Sequence, residues 1–193
     1  MTDARRRVAA FFFLAAYFFF GYGVLNRLNM FRDHYFNLAL PFEAHIPFVP
    51  AFTVGYFFVY VSLLGVYFLS PTWEDFKKPT QQLFWLSTIH YVLFLLIPVK
   101  MQRPDLSTMS DGFFLWLTRF FYNIDHPVNC FPSLHVAYPT LATCLIWKKH
   151  PRWRVFFLLL SVLTAISVVL IKQHYVLDVV AGALVSLAVF WGI

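Results

Sequence analysis

Six long apolar runs, at residues 8–25, 51–69, 83–99, 132–147, 155–171 and 175–193, dominate this chain and leave it few ways to fold. Most approach the ~20 residues that a helix needs to cross the hydrocarbon core of a bilayer. Inside hydrocarbon every backbone N–H and C=O must find its partner within the protein, so only helices or closed barrels cross. The runs are continuous rather than alternating with a period of two, which selects helices. The expected fold is all-α: a polytopic membrane protein with six transmembrane helices in one bundle, forming a single membrane-embedded domain over residues 1–193. With 60% hydrophobic and 12% charged residues, the chain lacks the polar surface of a water-soluble domain of this length. The first run follows Arg5, Arg6 and Arg7, as a signal peptide would. No small-x-small cleavage site follows it, and it is read as an uncleaved span. Residues 70–82 read as a short charged loop, and residues 112–122 as an aromatic helix lying on the membrane surface.

Basic residues give the orientation. Arg5, Arg6, Arg7, Lys77, Lys78, Lys148, Lys149, Arg152 and Arg154 fall on one side of a six-span arrangement, against Arg27, Arg32, Lys100, Arg103, Arg119 and Lys172 on the other. The richer side is expected in the cytoplasm. The net charge of +6 therefore reads as topology signal and contact with anionic lipid, with no nucleic-acid partner implied. Cys130 and Cys144 are not expected to pair, because Cys144 falls deep in an apolar run.

Three polar clusters interrupt the apolar pattern, all on the expected extracytoplasmic side. They are Lys100-Met-Gln-Arg103-Pro104, Phe131-Pro132-Ser133-Leu134-His135 and Lys172-Gln-His174-Tyr-Val-Leu-Asp178. Ionisable groups at the ends of membrane spans are expensive, and three clusters at one depth suggest one pocket. Lys100 and Arg103 are cations suited to a phosphate group. Ser133 follows Pro132 at the start of a helix, where free N–H groups favour an anion. His135 is placed to protonate a leaving oxygen. His174 and Asp178, four apart, share a helix face, so Asp178 can orient His174 for attack on phosphorus. Lys172 adds a third cation. Together these residues describe phosphoryl transfer through a covalent phospho-histidine. The same His135, His174 and Asp178 could also form a two-histidine, one-carboxylate metal set. His90, in the middle of the third run, reads as a bundle-facing histidine with a hydrogen-bond partner. Asp125, His126 and Asn129 could gate the pocket or bind a head group, and ordinary loop polarity explains them as well.

The order and spacing of these motifs over residues 46–182 resemble the type 2 phosphatidic acid phosphatase superfamily of integral membrane lipid phosphatases. Arg103-Pro104 matches the end of the first family motif, Pro132-Ser133-Leu134-His135 the second, and His174 with Asp178 the third. The wording around His135 and His174 is similar to the branch that contains inositol phosphorylceramide synthase. Leu134 stands where the family has glycine, and Ser167-Val168 where it has Ser-Arg. The resemblance implies His174 as nucleophile, His135 as general acid, Asp178 as orienting carboxylate, and no metal or other cofactor. It implies an integral membrane lipid phosphate phosphatase, at the cell membrane and facing the extracytoplasmic side, with a lipid phosphate as substrate. A phospho-head-group transferase and a non-catalytic lipid-binding or transport protein are the alternatives.

Overall fold

In the computed structural model, which describes residues 2–193, every regular element is helical and no strand occurs among the described residues. Seven α-helices follow in order: α1 Asp3–Asn29, α2 Tyr56–Phe68, α3 Trp73–Leu96, α4 Phe113–Ile124, α5 Leu134–Lys149, α6 Arg154–Leu170 and α7 Val176–Gly192. Short 3-10 turns at Pro50–Gly55 and Pro151–Trp153 lead into α2 and α6. By length and composition three stretches can cross a membrane, namely α1, Pro50–Phe68 and Pro151–Leu170, and α7 is a shorter apolar helix. The other two expected spans correspond to α3, whose first turns are polar, and α5, which has 16 residues.

The expected charged loop at 70–82 is mostly helix. Thr72 caps α3, its hydroxyl accepting from the Asp75 N–H at 3.2 Å, and Glu74 and Asp75 occupy the first turn, where the helix dipole favours acids. The helix continues through Pro79 because Phe76, Pro79, Gln82 and Leu83 form one buried face. Residues 113–124 do form an amphipathic helix, α4. It turns Phe113, Trp116 and Phe120 outward and Leu115, Leu117 and Phe121 inward.

α5 is the hub, packing against α2, α6 and α7 and touching α3. Its contact with α7 explains how the site is held. In lipid, helices gain little from the hydrophobic effect and associate through close packing and interhelical hydrogen bonds. Two small-residue pairs meet here, Ser133 with Ala137 on one chain segment and Gly182 with Ser186 on α7. Ser186 Oγ donates to the Ala137 carbonyl at 2.5 Å, and the Ser133 N–H donates to the Asp178 carbonyl at 2.9 Å. A Cβ on Gly182 would stand 2.3 Å from the Ser133 carbonyl oxygen, so only glycine admits this approach. The result pins the N-terminus of α5 beside the N-terminus of α7.

α1 lies on the outside of the bundle along α3. At one end Arg7 donates to the carbonyls of Pro71 and Tyr67. At the other end Asn26 and the His126 backbone exchange hydrogen bonds. There too the buried Asn29 Nδ2 donates to Asn129 Oδ1 at 2.6 Å and to the Phe94 carbonyl at 3.0 Å. Asn129 adopts a left-handed backbone, φ 59°, which asparagine tolerates better than most residues.

Candidate active site

The site is built on two helix starts and one helix end. Ser133 is the cap residue of α5, its Oγ accepting from the Val136 N–H at 3.4 Å, which puts His135 in the first turn. The end of α6 sets the path to His174. Lys172 sits in the left-handed region, φ 51°. The Gln173 N–H reaches the Val168 carbonyl at 2.9 Å and the Lys172 N–H reaches the Val169 carbonyl at 3.1 Å. This pair of bonds is a Schellman motif, and it reverses the chain in two residues. His174 follows, and α7 begins two residues later. In the first turn of α7 the Asp178 carboxylate accepts from the Tyr175 N–H at 2.9 Å.

The two histidines face each other, His135 Nδ1 lying 3.2 Å from His174 Nε2. His174 Nδ1 lies 3.4 Å from Asp178 Oδ2, both side chains being buried. A carboxylate beside Nδ1 places the proton there and leaves the Nε2 lone pair free toward His135. Four titratable groups thus form a row, because on its far side His135 Nε2 stands 3.8 Å from Asp125 Oδ2.

Arg103 joins this group. Its guanidinium lies 4.0 Å from the centre of the Tyr122 ring and donates to the carbonyls of Tyr122 and Asp125 and to the Gln173 side chain. Its Nε is buried with no partner. Lys100 and Lys172 are not brought in. Lys100 is exposed and lies 5.3 Å over the Tyr35 ring. Lys172 donates to the carbonyls of Ile46 at 2.7 Å and Glu43 at 3.3 Å, because the left-handed turn points its side chain at the Pro41–His45 turn. Ser133 stands next to the histidines; its N–H is used on the Asp178 carbonyl and its Oγ accepts from Val136, which leaves its O–H as a donor.

The sequence left Asp125 between a head-group contact and loop polarity, and it did not single out Tyr22 or Tyr56. Asp125 is central: Tyr22 OH donates to Oδ1 at 2.7 Å, and Tyr56 OH at 3.0 Å and Gln173 Nε2 at 3.2 Å donate to Oδ2. Nothing in the sequence separates Asp125 from the polar residues of an ordinary loop. Tyr22 and Tyr56 carried only a weak signal, a hydroxyl within or at the edge of an apolar run.

An apolar cavity of about 430 Å³ opens from this polar end. It runs between α1, α2, α3 and α5, with Tyr22, Tyr56, Asp125 and His135 at one end and Phe11, Leu64 and Phe76 at the other. From Phe11 to Tyr22 a helix rises about 16 Å, close to half the ~30 Å hydrocarbon core.

A metal-compatible trio also lies here, since ligand atoms of Cys130, His174 and Asp178 all fall within 4.8 Å of one another. It is a different set from the two-histidine one expected. The Cys130 thiol faces the carbonyls of Pro127 and Gln173, and burial pushes its pKa well above the usual value. A metal ligand must be a thiolate, so a metal here would have to displace that proton. His90 is fully buried in α3, with Nδ1 2.7 Å from the Leu86 carbonyl, as a bundle-facing histidine should be.

No curated protein and no solved structure matches the chain. A family model, that of the PAP2 superfamily, matches residues 28–192, a stretch that contains Arg103, Asp125, His135, His174 and Asp178. The chain therefore belongs to the PAP2 superfamily, whose members are phosphatases and phosphotransferases acting on phosphate esters.

Proposed function

We propose that this protein is a membrane enzyme that cleaves a phosphate ester of a lipid through a covalent phospho-histidine. The observation that carries the reading is that an apolar groove about one leaflet deep opens onto His135, with His174 3.2 Å behind it. A phosphate held at His135 and His174 leaves its lipid tail nowhere better to lie. The groove's walls are mostly apolar, and among the described residues that line it Asp125 and His135 are the acid and the base.

In the first step His174 Nε2 attacks phosphorus. The P–O bond to the leaving group breaks, and His135 gives its proton to the departing oxygen. The Asp178 carboxylate keeps the proton on His174 Nδ1 and stabilises the positive charge on the ring. Arg103 Nε offers a hydrogen bond to a non-bridging phosphate oxygen. In the second step an acceptor hydroxyl gives its proton to His135 as its oxygen attacks the phospho-histidine, and the N–P bond breaks. Water as acceptor makes the reaction a hydrolysis, and this is the reading put first. A lipid or polyol hydroxyl as acceptor makes it a transferase.

The six apolar helices other than α4 are read as six crossings, with the excess of Lys and Arg at the cytoplasmic ends. The histidines then face the extracytoplasmic side of the cell membrane. The test is product analysis by lipid mass spectrometry after incubation with a mixed pool of lipid phosphates in detergent. Wild-type protein is expected to consume at least one member of the pool, and His174→Ala to consume none above background. Turnover that persists without His174 would overturn the mechanism.

A further inference from the structure

We propose that Asp125 is a specificity residue that sets this site for a lipid phosphodiester, with one negative charge, against a phosphomonoester dianion. The inference rests on the reading of the polar end of the groove as the phosphate site.

Among the described residues Arg103 is the one fixed cation that the fold brings to the histidines, because Lys100 lies over Tyr35 and Lys172 is tied to the turn at residues 41–46. Two carboxylates stand against it, Asp125 and Asp178. All three hydrogen bonds that reach the Asp125 side chain are donated to it, by Tyr22, Tyr56 and Gln173, which is the surrounding of an anion. Asp125 also lines the cavity beside His135, with only 13% of its side chain exposed, so solvent screens it poorly. Asp178 is buried behind His174 and does not line the groove, so Asp125 is the negative charge that an arriving head group meets.

Arg103 offsets little of this. Its guanidinium already commits three of its five N–H groups to two carbonyls and an amide, and the buried Nε–H and one Nη1–H are the donors left for a phosphate oxygen. A phosphomonoester carries about −1.5 to −2 at neutral pH. A diester carries one negative charge, which Arg103 can face. The second charge of a monoester has no further cation here and meets a carboxylate.

The experiment measures binding to the full chain in detergent micelles by titration calorimetry. The probes are hexylphosphonate, at a pH where it is a dianion, and its monomethyl ester, a monoanion of nearly the same shape. Wild-type protein is expected to favour the ester by about tenfold or more, the scale of one added charge contact at a partly buried site. In Asp125→Asn that preference is expected to fall to about threefold or less through a gain in dianion binding. Tyr22→Phe and Tyr56→Phe keep the carboxylate and are expected to keep the preference, which separates charge from the clamp's structural part. If the wild type binds the dianion as tightly as the ester, or if Asp125→Asn weakens both probes equally, the inference fails while the phosphate-ester reading stands. If neither probe binds, both fail.

Discussion

At the scale of the residue, the row Asp178–His174–His135–Asp125 assigns a different task to each group, and single substitutions separate them. Asp178→Asn keeps the shape but presents an amide N–H to His174 Nδ1. The proton then moves to Nε2, the attacking position. By analogy with the carboxylate of hydrolytic triads, turnover is expected to fall by about 10⁴-fold with binding little changed. His135→Ala removes the proton donor and is expected to cost about 10²–10⁴-fold, less for substrates with a good leaving group such as p-nitrophenol. Steady-state rates with a poor and a good leaving group check this directly. Cys130 makes a complementary case. Its buried thiol, with a raised pKa, is expected to resist maleimide at pH 8 until the protein unfolds, which mass analysis of the labelled chain would report.

The sequence made His135, His174, Asp178 and Arg103 conspicuous because ionisable groups next to apolar runs need a reason to be there. Lys100 and Lys172 were conspicuous for the same reason and point elsewhere. The cause is backbone: a left-handed residue at 172 swings its side chain off the face that His174 uses. Asp125 was left undecided for the opposite reason, since a loop is where a solvated aspartate is expected.

At the scale of the element, the site depends on how closely two helix starts can approach. Gly182→Ala is expected to destabilise the fold by about 1–3 kcal/mol, read as a lower Tm in detergent, and to reduce turnover although Gly182 touches no reacting group. The Schellman turn gives a second case. A non-glycine residue in the left-handed region costs roughly 1–2 kcal/mol. Lys172→Ala loses the ties to Glu43 and Ile46 and keeps the strain, whereas Lys172→Gly loses the ties and relieves it. The alanine variant is expected to be less stable than the glycine variant by about 1 kcal/mol, measurable as a difference in Tm. Element type was legible wherever the chain is apolar, because a run of about 18 such residues has few other structures open to it. The start of α3 was not. Its first turns carry Glu74, Asp75, Lys77, Lys78 and Pro79, all of which point to a loop, and only the buried face through Phe76 and Leu83 reveals a helix.

At the scale of the whole molecule, the groove ties the bundle to its substrate. Ala15 lines it from α1. Ala15→Trp is expected to lower kcat/KM for long-chain substrates by about tenfold or more, the worth of burying several methylenes, and to leave short-chain substrates nearly unaffected. A series of chain lengths checks it. No periodicity in the sequence shows this groove, because it is the gap left where α1 follows α3 while α2 follows α5 and α6.

The way α1 is fastened has one more consequence. The helix is tied to its neighbours near Arg7, at Tyr17 and Phe18 through Thr88 and Tyr91 of α3, and again near Tyr22 to Asn29, while its other face forms one wall of the groove. With α1 held along its length, the groove stays open where its lining residues Phe19, Leu64 and Ile124 are exposed, and a lipid can slide in edgewise without leaving the leaflet. An enzyme fed this way responds to mole fraction within the bilayer, not to concentration in water. Dilution with inert lipid slows it, and dilution with buffer does not.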